Sequence, residues 1–296
     1  MHVLVTGGTG FIGTALVLAL MAQGYTVSVL TRQTDVSADL PGEKLNYIQS
    51  VESLDCSPDA VINLAGASLA DKRWTANYKT VIQDSRIRFT KKLGESLAAR
   101  GFAPSIWISG SAIGYYGASL EERFVESDPA GEGFAAQLCV DWEQSANEAC
   151  GDARLCLLRI GVVLDRDGGA FAQMAQPFKF GLANWIGHGR QWLSWIHRDD
   201  VVAAILHLLA DNTLSGAFNL TAPEAVTSRQ FCQLMQRHYR TLIAMPMPAA
   251  VMRVIVGGMA EELLLQGQQV VPAALIDSGF QFKHPDLDSA LKQIRS

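Results

Sequence analysis

Short, almost wholly apolar runs alternate with amphipathic stretches along the first two thirds of the chain. The runs at 2–6, 26–30, 45–49, 59–64, 105–109 and 154–159 lack the in-out alternation of a half-solvated strand. They predict strands buried on both faces. Between them, 11–23, 78–100 and 134–150 carry helical spacing, and Gly24 and Gly101 follow two of these as stop signals. Strand–helix alternation of this kind predicts an α/β fold, a doubly wound parallel Rossmann sheet. After Gly161 the rhythm changes. Residues 165–195 are rich in Gly, Phe and Trp with weak periodicity, which suggests a long functional loop or part of a lobe. A helix at 199–210 and a strand at 217–220 return to the sheet. From Thr227 the pattern is mostly helical, with a Pro-punctuated stretch at 245–248 and a last helix at 286–294. The expected organisation is a Rossmann domain over 1–220, with 165–195 contributing to a substrate lobe, and a smaller, mainly helical C-terminal lobe over 221–296.

The 296 residues suffice for one large domain and a lobe, and 49% apolar with 18% charged content is the profile of a folded globular chain. A net charge of −5 argues against nucleic acid as a partner, because phosphate backbones need a cationic face. The five cysteines are odd in number and lack metal-type spacing, so reduced thiols, no metal site and a cytoplasmic location are expected. With a strand expected from His2, no signal peptide is expected ahead of it. The most apolar late stretch, 251–265, is broken by Arg253, Gly257, Gly258, Glu261 and Glu262, which predicts no membrane span. Nothing in the pattern fixes an oligomeric state.

Thr6-Gly7-Gly8-Thr9-Gly10-Phe11-Ile12-Gly13 follows the first strand and opens the first helix. One glycine permits the tight turn, one admits a pyrophosphate to the backbone, and one lets helix and sheet pack closely. The N–H groups at the helix start then face the phosphates. This predicts dinucleotide binding. At the end of the second strand an NAD protein usually carries an acid for the ribose hydroxyls, about 20 residues beyond the glycines. Here Thr31 takes that place and Arg32 follows it. A guanidinium suits a 2′-phosphate, so the expected cofactor is NADP; the alternative is that Arg32 is a solvated loop cation.

TGGTGFIG at the N-terminus, DAVINLAG at 59–66, ISGSAIGYYG at 108–117 and WIHRDDVV at 195–202 resemble the extended short-chain dehydrogenase/reductases, the NAD(P)-dependent epimerase/dehydratase family. ADKRW at 70–74 and PFKFGL at 177–182, with the helical tail, resemble a narrower group. That group is the YfcH-like sugar-epimerase subfamily, with an appended C-terminal domain of undefined role. The resemblance implies that Leu64 and Ala65 run past the cofactor ribose and nicotinamide, and that Val162 lines the nicotinamide pocket. It implies that Ser111 faces the reacting carbon. Arg86 replaces the family's asparagine, and either reaches the cofactor or serves as a structural ion-pair partner.

Two departures stand out. The family's proton-transfer tyrosine and lysine fall on Ala135 and Cys139 when Glu143 is aligned with the family's glutamate. The position of the arginine that grips a nucleotide-sugar diphosphate is Leu193. Tyr115 and Tyr116 are the remaining tyrosines near the site, as proton carriers or as packing residues. His197 is expected to anchor a turn, and Asp199 and Asp200 to cap the following helix. Trp185, Trp192, Trp195, Phe178 and Phe180 form a substrate wall, the core of the lobe or a partner surface. The expected function is that of an NADP-binding, epimerase-like oxidoreductase of atypical mechanism acting on a small molecule; the alternative is a non-catalytic protein that senses NADP(H).

Overall fold

The computed structural model describes residues 1–33, 44–69, 72–166, 168–256 and 265–295, with 253–256 as backbone only. Ala70 and Asp71 of the ADKRW phrase, and the glycines and glutamates named at 257–262, lie outside the described residues.

Seven strands form one sheet in the order Gly216–Leu220, Arg154–Ile160, Ile106–Ala112, Ala60–Asn63, His2–Thr6, Thr26–Leu30, Leu45–Ile48. Every pairing in it is parallel. This is the predicted doubly wound Rossmann sheet. Successive side chains take opposite faces, as the two-residue period of a strand requires. Val3, Val5, Val27, Val29 and Ile62 pack with Leu16, Val17 and Leu20 of the first helix and with Val201, Ile205 and Leu208. On the other face, Leu4, Val61 and Trp107 pack with Leu93 and Leu97. Each such side chain contributes roughly 1.5–3 kcal/mol by leaving water, so a polar residue in any of these runs would be felt.

Sequence order reverses between His2–Thr6 and Ala60–Asn63, the two strands that flank the switch point. Ligands of such sheets bind outside the carboxyl ends of the strands at that crevice.

The stretch 165–195 is more regular than its composition suggests. It holds a helix at Gly169–Lys179 and a strand at Leu182–Ile186, which pairs in parallel with Ile243–Met247. Pro246 is tolerated in the latter because the two-stranded sheet leaves an edge on which no donor is needed. Phe171, Phe178, Trp195, Phe231, Met235, Leu287 and Leu291 form a second core here. Phe178 and Trp195 are therefore lobe core, whereas Phe180 is 81% exposed.

The C-terminal part is sewn to the main sheet rather than appended to it. Leu275 and Phe280 belong to the main core. Gln269–Val270 pairs in parallel with Arg123–Phe124. Val270 donates its N–H to Ser194 Oγ, and Asn219 Nδ2 donates to the Val271 carbonyl.

Two local expectations are corrected. The helix predicted at 78–100 starts at Ala76, behind a Thr75 cap, and is interrupted by a π turn over Asp84–Arg88. The helix after His197 is Arg198–Ala210, and His197 itself caps it by accepting the Asp199 N–H. Asp200 instead accepts the amides of Lys283 and His284, clamping the C-terminal segment to that helix.

Candidate functional site

The glycine turn lies at the switch point, and its shape depends on missing side chains. Gly7 adopts a φ of +70°, where L residues are strained, and a Cβ there would lie 2.7 Å from the Leu64 carbonyl. A Cβ on Gly13 would lie 2.1 Å from the Gly7 oxygen. The turn is closed by the Gly10 amide donating to that oxygen at 2.9 Å. The helix that follows, Phe11–Ala22, has Gly10 as its cap, with no side-chain acceptor and no acid in the first turn. The amides of Phe11, Ile12 and Gly13 thus begin a helix without an internal partner. The arrangement fits an anion from outside the chain. Phe11 is held in place by the lobe: Gly168 and Gly169 leave room for its ring, and the Arg198 guanidinium stands 5.0 Å from the ring centre.

A Cβ on Gly7 would also meet the Ala65 nitrogen at 3.0 Å, and one residue on, Gly66 leaves room for Arg86. A Cβ on Gly66 would sit 3.0 Å from Cζ of Arg86. Arg86 stands on the π turn and is 8% exposed. Nη1 donates to the Ile82 carbonyl at 3.3 Å and to Ser85 Oγ at 3.4 Å, and the guanidinium lies 5.1 Å from the Trp142 ring. No carboxylate pairs with it among the described residues. Desolvation lowers its pKa to about 10, so it remains a cation at neutral pH. A buried charge without a counter-charge invites one. Thr31 and Arg32 follow Thr26–Leu30, and Arg32 is exposed. Val162 opens the strand Val162–Asp165, its N–H donating to the Ser194 carbonyl.

Ser111 lies near the end of Ile106–Ala112, 3% exposed, and donates to Glu143 Oε1 at 2.6 Å. Glu143 is gripped from its other side by Arg159, with Nε to Oε1 and Nη2 to Oε2, each at 2.9 Å. Arg159 Nη1 also donates to the Tyr116 hydroxyl at 2.9 Å, and that hydroxyl donates to Asn219 Oδ1 at 2.7 Å. The Tyr115 ring lies on the Arg159 guanidinium, 3.5 Å from centroid to Cζ. Burial pushes the Tyr116 phenol up to about 12, so Tyr116 stays protonated through the working range. Ala135 and Cys139 sit one turn apart on the helix Phe134–Ala149, against Gly114. The Cys139 thiol faces the Ala112 carbonyl, and burial pushes it up to about 11. It is a packing group and not a poised nucleophile.

Beside Ala135 and Gly114 opens a cavity of about 400 Å³. Its walls include Tyr116, Phe124, Glu122, Glu132, Gln266 and Gln268. The last two come from the C-terminal part, and Gln268 Nε2 donates to the Ile113 carbonyl. Sequence reasoning missed the Arg159–Glu143 pair, although a lone charge inside the apolar run Leu157-Leu158-Arg159-Ile160 was its signal. It also missed Gln266 and Gln268, which no local pattern marks.

A model of the NAD-dependent epimerase/dehydratase family matches residues 3–220, and one of a domain of unknown function, DUF1731, matches 247–294. An epimerase family protein of Mycobacterium bovis is 38% identical over 98% of this chain and 96% of its own length. The crystal structure of the human epimerase family protein SDR39U1 with NADPH superposes at a TM-score of 0.87, with 34% identity, covering 99% of both chains. UDP-glucuronic acid 4-epimerase of Bacillus cereus, in complex with UDP-glucuronic acid and NAD, shares the fold at a TM-score of 0.78 and 15% identity, covering 100% of this chain and 99% of its own. With the glycine turn at the switch point and a match over the whole sheet, this chain belongs to the NAD-dependent epimerase/dehydratase family and carries that second domain behind it.

Proposed function

We propose that the chain binds NADP and acts as an epimerase-like oxidoreductase on a small molecule, by a route that uses no tyrosine–lysine pair. The observation that carries the reading is the first turn of Phe11–Ala22, which offers amides to an anion and has neither a side-chain cap nor an acid of its own. Gly7, Gly10, Phe11, Ile12 and Gly13 hold the pyrophosphate. Thr31 and Arg32 receive the 2′-phosphate, and Arg86 supplies a second cation. Leu64, Ala65 and Val162 line the ribose and nicotinamide side. The 34% identical relative crystallised with NADPH supports the choice of cofactor.

Bound NADP supplies a hydride acceptor or, when reduced, a hydride donor. Ser111 orients the substrate oxygen. Its own proton is engaged by Glu143, so its free lone pairs suit a substrate hydroxyl as donor. Tyr115, half-buried over Arg159, is the proposed proton carrier, while Tyr116 positions Arg159 from behind. The second reading, an NADP(H) sensor without turnover, is favoured by one observation: Ala135 and Cys139 occupy the helix face where a proton relay would stand.

Fluorescence titration with NADPH tests the binding. Gly10 has an ordinary φ of −86°, and a Cβ there would meet only the Gly7 oxygen at 3.2 Å, so Gly10→Leu should fold. It is expected to weaken NADPH at least tenfold while still unfolding in one cooperative transition; unchanged affinity rejects the assignment. Arg32→Ala should cost NADP roughly ten- to a hundredfold, the worth of about 1.5–3 kcal/mol of charge-assisted hydrogen bonding, and leave NAD nearly untouched. NADPH oxidation by any member of a carbonyl panel selects the enzyme; tight binding with no turnover across it selects the sensor.

A further inference from the structure

The family fold houses enzymes whose substrates carry a nucleotide diphosphate, such as the UDP-glucuronic acid epimerase above. The cavity beside Ala135 has the opposite electrostatic character. Glu122 and Phe124 line it, Phe124 on the short strand Arg123–Phe124 and Glu122 just ahead of it, while Arg123 is not among the lining residues. Glu132 is also among the lining residues. Neither carboxylate makes an ion pair among the described residues, and no lysine or arginine is among the lining residues. Arg159, the nearest buried cation, is already neutralised by Glu143. Gln266 and Gln268 add amides that both donate and accept.

Resting on the proposed function above, we infer that this cavity takes a small, phosphate-free substrate bearing a protonated amine beside its hydroxyls, and that the C-terminal domain completes its wall. A diphosphate would meet two carboxylates and no cation, a repulsion that rejects it. An ammonium meets both carboxylates, beside the mutually stacked rings of Phe124 and Tyr116. The cavity volume, about 400 Å³, is near the lower end of the range for small-molecule sites.

Three probes of one size separate the charges: 1-amino-1-deoxyglucitol, glucitol and gluconate. Each is titrated by calorimetry into NADPH-saturated protein at low salt, with NADPH occupancy read by its fluorescence in the same samples. The amine should bind at least fivefold tighter than gluconate, with glucitol between, and 0.5 M salt should shrink that ratio. In the double variant Glu122→Gln, Glu132→Gln, the ratio should fall to within about twofold while NADPH occupancy is unchanged. UDP-glucose should give no heat. Gluconate or UDP-glucose binding as tightly as the amine, or no binding of any probe to NADPH-loaded protein, overturns the inference and leaves the cofactor assignment standing. Loss of NADPH occupancy itself refutes the cofactor assignment instead.

Discussion

Arg86 is 8% exposed with no acid beside it among the described residues, and holding a charge out of water in this way costs the fold stability. Its folded pKa of about 10 lies below the free value, yet the side chain remains charged throughout the neutral range, so the cost is constant there. Arg86→Met should therefore raise the melting temperature of the cofactor-free protein while weakening NADPH roughly ten- to a hundredfold by fluorescence titration. A lower melting temperature with unchanged affinity would make Arg86 a structural residue. The residues of the glycine turn were legible in the sequence because each glycine answers a steric demand local to one strand and one helix. The burial of Arg86, the Ser111–Glu143 hydrogen bond and the pinning of Tyr116 were not. Each depends on which strand or helix comes to lie beside it, over sequence separations as large as the 103 residues between Tyr116 and Asn219.

Helix Phe134–Ala149 carries Cys139 on its inward face, and the strand Arg154–Ile160 carries Cys156. Burial pushes both thiols up to about 11, while Cys56 is exposed. Thiol labelling of native protein at pH 8 should modify Cys56 first, with Cys139 and Cys156 at least about a hundredfold slower, following their thiolate fraction and access. Comparable rates would contradict the packing of this helix. The unfolded chain releases these two protons before the folded one does. Stability should therefore fall as pH rises from about 9 to about 11, which urea titrations across that window would measure. At this scale the strands were legible because burial on both faces leaves a continuous apolar run. The π turn at Asp84–Arg88 was not, since one extra residue in a helix leaves the apolar spacing on either side intact. The strand Ile243–Met247 was hidden by its proline.

The parallel order of the central sheet followed from strand–helix alternation, whereas the relation of the tail to the sheet did not, because nothing local marks a segment that packs on distant strands. Leu275 and Phe280 sit in the main core, and Gln269–Val270 borders the cavity wall. A chain ended after Leu220 should melt at least about 10 °C lower or fail to fold, given the cost of emptying two large core positions as well as the second cluster. A soluble fragment with an unchanged melting temperature by scanning calorimetry would contradict this. Phe11, the opening residue of the first helix, is seated between Gly168–Gly169 and Arg198, all supplied from beyond residue 160. Transplanting the octapeptide with its neighbouring strand and helix onto another scaffold would carry over the letters of the motif without the seat that aims it.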